Sequence, residues 1–273
     1  EHFIFRFEEG PDEILIHYAE EVLEKSYRVL GEILNYYPKE KVLVEIYPDQ
    51  KPFAQISPLT LKDIRTSGTV ALCKYNRIML ISPGSLVRGF NWMDTLSHEY
   101  VHYILTKKSH NHLPLWMHEG LAKYLETHWR EDKQYLSPIM ETVLSNALKN
   151  DYRVPLESMM PSLAKLKTAE DVQLAYAEVS SMMEYLTDLK GLNIFSQILQ
   201  DLAYGAEFKD TFIKHVGYDL TQFQNNWESW VKNLELKNIL GIKTLTTEFK
   251  NRKGSENKEH IALESRRTRD LTY

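Results

Sequence analysis

One five-residue stretch restricts the fold and the chemistry of this chain more than any other, the sequence H-E-Y-V-H at residues 98–102. Residues four apart lie on one face of an α-helix, so His98 and His102 can direct two imidazoles at one point. Neutral imidazole is a good ligand of Zn²⁺, and the carboxylate of Glu99 can reach a water molecule bound to such a metal. The stretch therefore predicts a helix that carries two metal ligands.

A third ligand is needed, because a catalytic zinc site usually has three protein ligands and one position left for water. Glu119 lies seventeen residues after His102, on a second predicted helix. Two helices joined by a loop can pack antiparallel and bring this carboxylate to the metal, and Gly120 and Ala122 leave room for close packing. The alternative is an ordinary solvated carboxylate, but beside two histidines of this spacing we favour the ligand.

Other candidates for the third ligand fit less well. One zinc peptidase pattern continues with a glycine and a third histidine, but Leu105 and Lys108 occupy those positions. His110 and His112 lie in a polar loop, and His118 points about 100° away from the residue that follows it on a helix. We expect these three to be surface or core histidines.

The composition indicates a globular protein and excludes several classes. The 273 residues are 43% apolar, enough for a sizeable core. The net charge of −5 gives no footprint for nucleic acid, and no run of eighteen apolar residues indicates a transmembrane helix. The single cysteine, Cys73, rules out an internal disulfide and a cysteine-based zinc site. Because the chain starts at Glu1 and ends in a basic, helix-prone stretch, we expect a processed or excised segment of a longer protein.

Hydrophobic periodicity predicts a β-α-β-β-β order in the first third of the chain. The first helix would be capped by Asp12, run to about Tyr37 and be stopped by Pro38. A loop with Pro52 and Pro58 would connect the second and third strands. The predicted strands are residues 3–7, 42–47, 69–74 and 77–81, the last two forming a hairpin with a turn at 75–76.

The rest of the chain is helical by period, and it divides into three predicted parts. Asn91 would cap the helix of the 98–102 stretch, and further helices are predicted near residues 134–149, 168–190, 193–204, 206–215 and 219–236. We expect an α/β lobe at 1–130, a helical lobe at 131–236, and at 237–273 a polar linker followed by the start of a further helical module.

The two ligand-bearing segments, H-E-Y-V-H and P-L-W-M-H-E-G-L-A-K-Y at 114–124, resemble the gluzincin metallopeptidases, the superfamily of thermolysin and aminopeptidase N. The pattern W-x-x-E-G-x-A is similar to the bacterial peptidase MA-like domains, and the resemblance extends over roughly residues 1–235. It implies an α+β fold, with a small mixed twisted sheet and helices, then an all-helical lobe, and one zinc ion in the cleft between.

The resemblance also implies a role for each site residue. His98, His102 and Glu119 would bind Zn²⁺, and Glu99 would take a proton from the zinc water and pass it to the leaving amine. Aminopeptidase-like relatives stabilise the oxyanion with a tyrosine, for which Tyr176 is the candidate here, the equal alternative being a buried core tyrosine.

Two departures from the family patterns matter. Aminopeptidases carry a G-x-M-E-N segment, but the equivalent region, residues 68–73, has no acidic residue, which argues against that activity. Lys123 stands where thermolysin-like enzymes have an aspartate, so the surroundings of the zinc would differ.

Asp94 could orient His98, although a plain helix N-terminal charge is the favoured interpretation. The strand at 69–74 could receive a peptide by β-addition, or be an ordinary strand.

We therefore expect a zinc metallopeptidase, an endopeptidase acting on a peptide or protein, with no nucleic-acid partner. One alternative is a zinc-binding domain without turnover that serves as an interaction or regulatory module, with a protein partner at the C-terminal helical extension. Another is a chance motif in a structural helical protein. An extracytoplasmic location, periplasmic, secreted or membrane-anchored, is expected for a degradative enzyme with this chain start.

Overall fold

The computed structural model describes residues 1–10, 12–160, 162–163 and 166–239. They form a small mixed sheet surrounded by helices, which confirms the predicted α+β class. The elements are β1 (Phe3–Phe7), α1 (Glu13–Leu34), β2 (Val42–Tyr47), α2 (Gln50–Ile56), α3 (Leu61–Ser67), β3 (Ala71–Lys74), β4 (Arg77–Ile81), α4 (Trp92–Ser109), α5 (Leu115–Leu125), α6 (Pro138–Lys149), α7 (Leu156–Met159), α8 (Ala169–Lys190), α9 (Asn193–Ala203), α10 (Phe208–Val216) and α11 (Leu220–Val231).

The sheet has the strand order β1-β2-β4-β3, with β1, β2 and β4 parallel and β3 antiparallel at one edge. The hairpin of β3 and β4 closes through Tyr75 and Asn76, whose φ angles are 55° and 58°. Two successive left-handed residues match the twist of a two-residue hairpin, so the predicted turn is confirmed. This hairpin places β3 at the edge, next to helix α4.

Helices cover both faces of the sheet. α1 and α4 pack on one face, where Leu23, Leu30 and Tyr100 meet Val44 and Ile78 in the main core. α2 and α3 pack on the other face in a smaller apolar cluster, formed by Phe53, Leu59, Ile64, Leu72, Met79, Ile81 and Leu86. The helix of the 98–102 stretch is thus held directly against the sheet.

The predicted loop between β2 and β3 is wrong, because it contains the two short helices α2 and α3. Asp49 caps α2 by accepting the backbone N–H of Lys51. Thr60 and Asp63 form a capping box at the start of α3. The prolines suggested a loop, but a proline in the first turn or just before a helix is compatible with helix formation.

One predicted helix end and two predicted helix caps also differ from the structure. α1 ends at Leu34 rather than near Tyr37, because Asn35 adopts a left-handed conformation with φ of 48° and its N–H bonds back to the helix. Asp12 and Asn91 precede their helices, but neither side chain makes a capping bond. Asp12 instead accepts the hydroxyl of Ser82, at 2.7 Å, and so ties the start of α1 to the end of the sheet.

Helices α5, α6, α9 and α11 pack against α8, and α10 packs against α9 and α11. The five helices predicted from period are present. α5 and α8 approach closely at Gly120, where an added Cβ would lie 3.0 Å from the carbonyl oxygen of Val179. The predicted close packing at this glycine is confirmed. The short helix α7 is not predicted by period because four residues are too few to show one.

The predicted linker and helical module at 237–273 fall largely on residues 240–273, outside the described residues. The division into lobes at residue 130 stays a prediction. Among the described residues, no helix combines the length and the hydropathy that a bilayer span requires.

Candidate metal centre

The side chains of His98 and His102 on α4 and of Glu119 on α5 converge on one point. Their potential ligand atoms all lie within 4.8 Å of one another. Nε2 of His98 is 3.9 Å and Nε2 of His102 is 3.7 Å from Oε2 of Glu119. Ligands in a tetrahedral zinc site are about 3.4 Å apart when each bond is about 2.1 Å long. Small side-chain shifts would bring these atoms to that spacing, so the donor set and its geometry fit a zinc ion.

Each histidine is anchored through its other ring nitrogen. Nδ1 of His98 lies 3.0 Å from Oε2 of Glu126, and Nδ1 of His102 lies 2.7 Å from Nδ1 of His118. Both rings therefore direct Nε2 towards Glu119. Anchoring of this kind fixes the tautomer and the orientation of a metal-binding histidine.

Glu126 is a site residue that sequence reasoning missed. Glu126 lies at the C-terminal end of α5, seven residues after Glu119. Its carboxylate also accepts a hydrogen bond from the ammonium group of Lys123. A spacing of seven, two helical turns, was the available signal. Lys123 stands where thermolysin-like enzymes have an aspartate. It thus positions the carboxylate of Glu126, which in turn orients His98.

The charges around the histidines differ. Burial opposes the charged form of His98, but the carboxylates of Glu126, Glu99 and Glu119 prevail and raise its pKa. Burial together with the neighbouring histidines lowers the pKa of His102 well below its usual value, and burial lowers that of His118 to about 3. His102 and His118 are therefore neutral imidazoles near neutral pH, the form in which histidine binds metals.

Glu99 projects from α4 towards β3, beside the converging ligands. Its carboxylate accepts the backbone N–H of Cys73, while Oε2 is buried without a hydrogen-bond partner among the described residues. Burial raises the pKa of Glu99 to about 7, against the opposing effect of His98. A carboxylate poised in this range can both accept and return a proton near neutral pH.

Tyr176 on α8 reaches the same point, where its hydroxyl donates to Oε2 of Glu119 at 3.1 Å. Burial and the adjacent Glu119 raise the pKa of this phenol well above its usual value. Tyr176 therefore stays protonated and is a hydrogen-bond donor at the site. The close approach of α8 to Gly120 is what brings the two groups together.

A pocket of about 130 Å³ contains the predicted site. Its other walls are mostly apolar, formed by Leu59, Thr69, Ala71, Leu72, Leu115, Ser162 and Leu163. Among the described lining residues, Glu99 and Glu119 are the carboxylates, and none is a lysine or arginine. A wider, open groove of about 570 Å³ lies elsewhere, around Arg6, Glu45 and Tyr47, and shares no residue with this pocket.

Several other residues considered from the sequence do not line the pocket. Asp94 accepts bonds from Trp129 and Arg130 instead of orienting His98. Lys108 donates to the carbonyl oxygen of Leu34 and so caps the end of α1. His110 ends α4, and His112 bonds the backbone of that same end. His118, expected to be an ordinary surface or core histidine, is buried and contacts His102.

Comparisons with known proteins place the chain in a family. The sequence model of the family described as the Peptidase MA superfamily matches residues 16–233. The chain is similar to the "Uncharacterized protein YhcO" of Bacillus subtilis (strain 168), with 22% identity over 228 residues, 78% of this chain and 56% of that protein. The chain thus spans little more than half the length of this curated relative. No solved structure matches the chain significantly. Because the family match covers most of the chain, including α4, α5 and α8, the chain belongs to the Peptidase MA superfamily.

Proposed function

We propose that this chain is a zinc-dependent endopeptidase. The observation that carries the proposal is the convergence of His98, His102 and Glu119 on a pocket that also contains the carboxylate of Glu99. Two imidazoles and one carboxylate are a ligand set of catalytic zinc sites. Membership of the Peptidase MA superfamily supports the same reaction class.

Each side chain has a defined task in peptide hydrolysis. His98, His102 and Glu119 would hold the metal, which, when bound, acts as a Lewis acid that lowers the pKa of water and polarises a carbonyl group. Glu99 accepts a proton from the attacking water and delivers it to the leaving amine. The hydroxyl of Tyr176, which donates to Glu119 in this structure, would turn its hydrogen bond from Glu119 to the oxyanion as negative charge develops there.

The pocket walls favour cleavage inside a peptide rather than at its ends. An aminopeptidase needs an additional carboxylate for the terminal ammonium group, and a carboxypeptidase needs a cation for the terminal carboxylate. Neither is present among the described lining residues. Edge strand β3 bonds β4 through alternate residues, so Ala71 directs its backbone groups away from β4, and Cys73 does the same with its N–H already donated to Glu99. An extended substrate can pair with this edge.

A second function, zinc binding without turnover, is favoured by one observation. Ligand pockets usually have volumes of roughly 300–1,000 Å³, whereas the pocket over Glu99 has about 130 Å³. This space is smaller than a peptide of several residues requires. In such a domain the zinc would serve a structural or interaction role. The extracytoplasmic location and the C-terminal protein partner, both expected from the sequence, remain predictions.

The experiment measures zinc content and cleavage of an internally quenched peptide library, with and without a chelator. We expect one zinc per chain and cleavage at internal bonds. Glu99→Gln should keep the metal and lower cleavage by about 10²–10⁴-fold. Glu32→Gln is the matched control, because this glutamate is exposed on α1.

Three outcomes separate the possibilities. Loss of cleavage in Glu99→Gln, with cleavage retained in Glu32→Gln, supports the peptidase. Stoichiometric zinc without cleavage of any peptide supports the binding domain. Absence of zinc from protein purified without chelator contradicts both functions.

A further inference from the structure

The contact between His102 and His118 is a hydrogen bond between two ring nitrogens. Their Nδ1 atoms are 2.7 Å apart, and the rings are within 21° of parallel. Stacked rings could not bring two nitrogens so close, because atoms of stacked planes stay about 3.5 Å apart. One hydrogen therefore lies between the two nitrogens, and one ring donates while the other accepts.

The surrounding groups decide which ring donates. Nε2 of His102 faces Glu119 at the candidate metal centre, so a His102 that binds a metal there carries its proton on Nδ1. His118 must then accept at Nδ1 and carry its own proton on Nε2. That nitrogen lies 3.4 Å from the hydroxyl oxygen of Thr106, which can accept it. A continuous chain of bonds thus runs from the metal centre back to α4.

The partner of His102 is neutral, whereas the partner of His98 is the carboxylate of Glu126. A bound zinc ion would be balanced by the charges of Glu119 and Glu99, and Glu126 is already paired with Lys123. A second carboxylate in the place of His118 would leave an uncompensated negative charge in a buried site. A neutral acceptor orients His102 without that cost.

We propose that His118 is a positioning residue, which holds His102 in the Nδ1-protonated tautomer and so commits its Nε2 to the metal. The proposal rests on the metal binding of the proposed function, and not on turnover. It gives a defined task to a histidine that the sequence pattern places beside a ligand but pointing away from it.

The test compares two substitutions of His118. The side-chain oxygen of asparagine can accept a hydrogen bond near the position of Nδ1, whereas leucine has similar bulk and no acceptor. Zn²⁺ affinity is measured by competition with a chromogenic chelator. His118→Leu should weaken it about 10–100-fold, the usual effect of losing such a partner, while His118→Asn should stay within a few-fold of the wild type. Equal affinity of all three proteins, or equal loss in both variants, would overturn the proposal.

A second measurement reads the tautomer directly. Nitrogen-15 chemical shifts of the histidine rings in the wild-type protein without metal should show His102 protonated at Nδ1 and His118 protonated at Nε2. The opposite assignment for His102 would overturn the proposal even if His118→Leu does not fold. If the wild type binds no Zn²⁺, the proposed function fails, while this measurement still decides whether His118 fixes the tautomer.

Discussion

Replacement of Gly120 by alanine tests how tightly the site depends on the contact between α5 and α8. The new methyl carbon would lie 3.0 Å from the carbonyl oxygen of Val179 and 3.3 Å from Cγ of Met183. Comfortable contacts of this kind are about 3.5–4.0 Å, so the two helices must separate by several tenths of an ångström. Overpacking of a well-packed interior costs about 1–3 kcal/mol. Alanine returns about 1 kcal/mol in helix propensity.

We therefore expect Gly120→Ala to be less stable than the wild type by about 1 kcal/mol, equivalent to a fall in Tm of about 2–4 °C for a chain of this size. The hydrogen bond from Tyr176 to Glu119, now 3.1 Å, would lengthen in the same variant. Urea unfolding followed by circular dichroism, on protein without metal, measures the change in midpoint at constant slope.

The matched control is a pair of substitutions at Arg28, exposed on α1. Arg28→Ala should exceed Arg28→Gly in stability by about 1 kcal/mol, because propensity acts there without a packing cost. Gly120→Ala could instead be more stable than the wild type by the same amount by which Arg28→Ala exceeds Arg28→Gly. That result would refute the close approach of α8 to Gly120.

Three further predictions concern other buried polar groups. Tyr176→Phe should lower kcat about 10²-fold with zinc affinity nearly unchanged; an equal loss of zinc affinity would show that the hydroxyl instead holds Glu119. Burial raises the pKa of Glu178 from 4.5 to about 8, so the native state favours the protonated acid and loses stability as pH rises from 4.5 towards 8. Glu178→Gln has no such titration, so the difference between its free energy of unfolding and that of the wild type should rise by a few kcal/mol from pH 5 to pH 8. A difference that does not change with pH would contradict this. Lys108→Met removes the ammonium that caps the carbonyl of Leu34, and should cost about 1–3 kcal/mol in urea unfolding; unchanged stability would refute the capping role.

The parts of the site that could be predicted are those written in local spacing. His98 and His102 are one helical turn apart, so helix geometry alone makes them neighbours. Glu119 needed a resemblance as well as a spacing, because its position depends on how α5 packs against α4. The position of Tyr176 beside Glu119 was harder to predict, because α8 begins some fifty residues after Glu119 along the chain.

The missed features depend on tertiary contacts or on caps. His118 points away from Glu119 on α5, as helix geometry requires, but α4 lies on that side and places His102 against it. The loop expected between β2 and β3 became helical because Asp49 and Thr60 cap two short helices that also bury Phe53 and Ile64. Prolines alone do not exclude helices when such caps are present.

The three candidate ligands lie within residues 98–119, on two consecutive helices that pack together. A hairpin of α4 and α5 could therefore hold a metal ion even while α8 is detached. Ligand binding stabilises only the states that retain the binding site. We expect metal to slow amide hydrogen exchange strongly in α4 and α5, and far less in α8, because local opening of α8 leaves the ligands in place. Partial unfolding of the metal-bound protein would then begin with the detachment of α8 and reach the hairpin of α4 and α5 last.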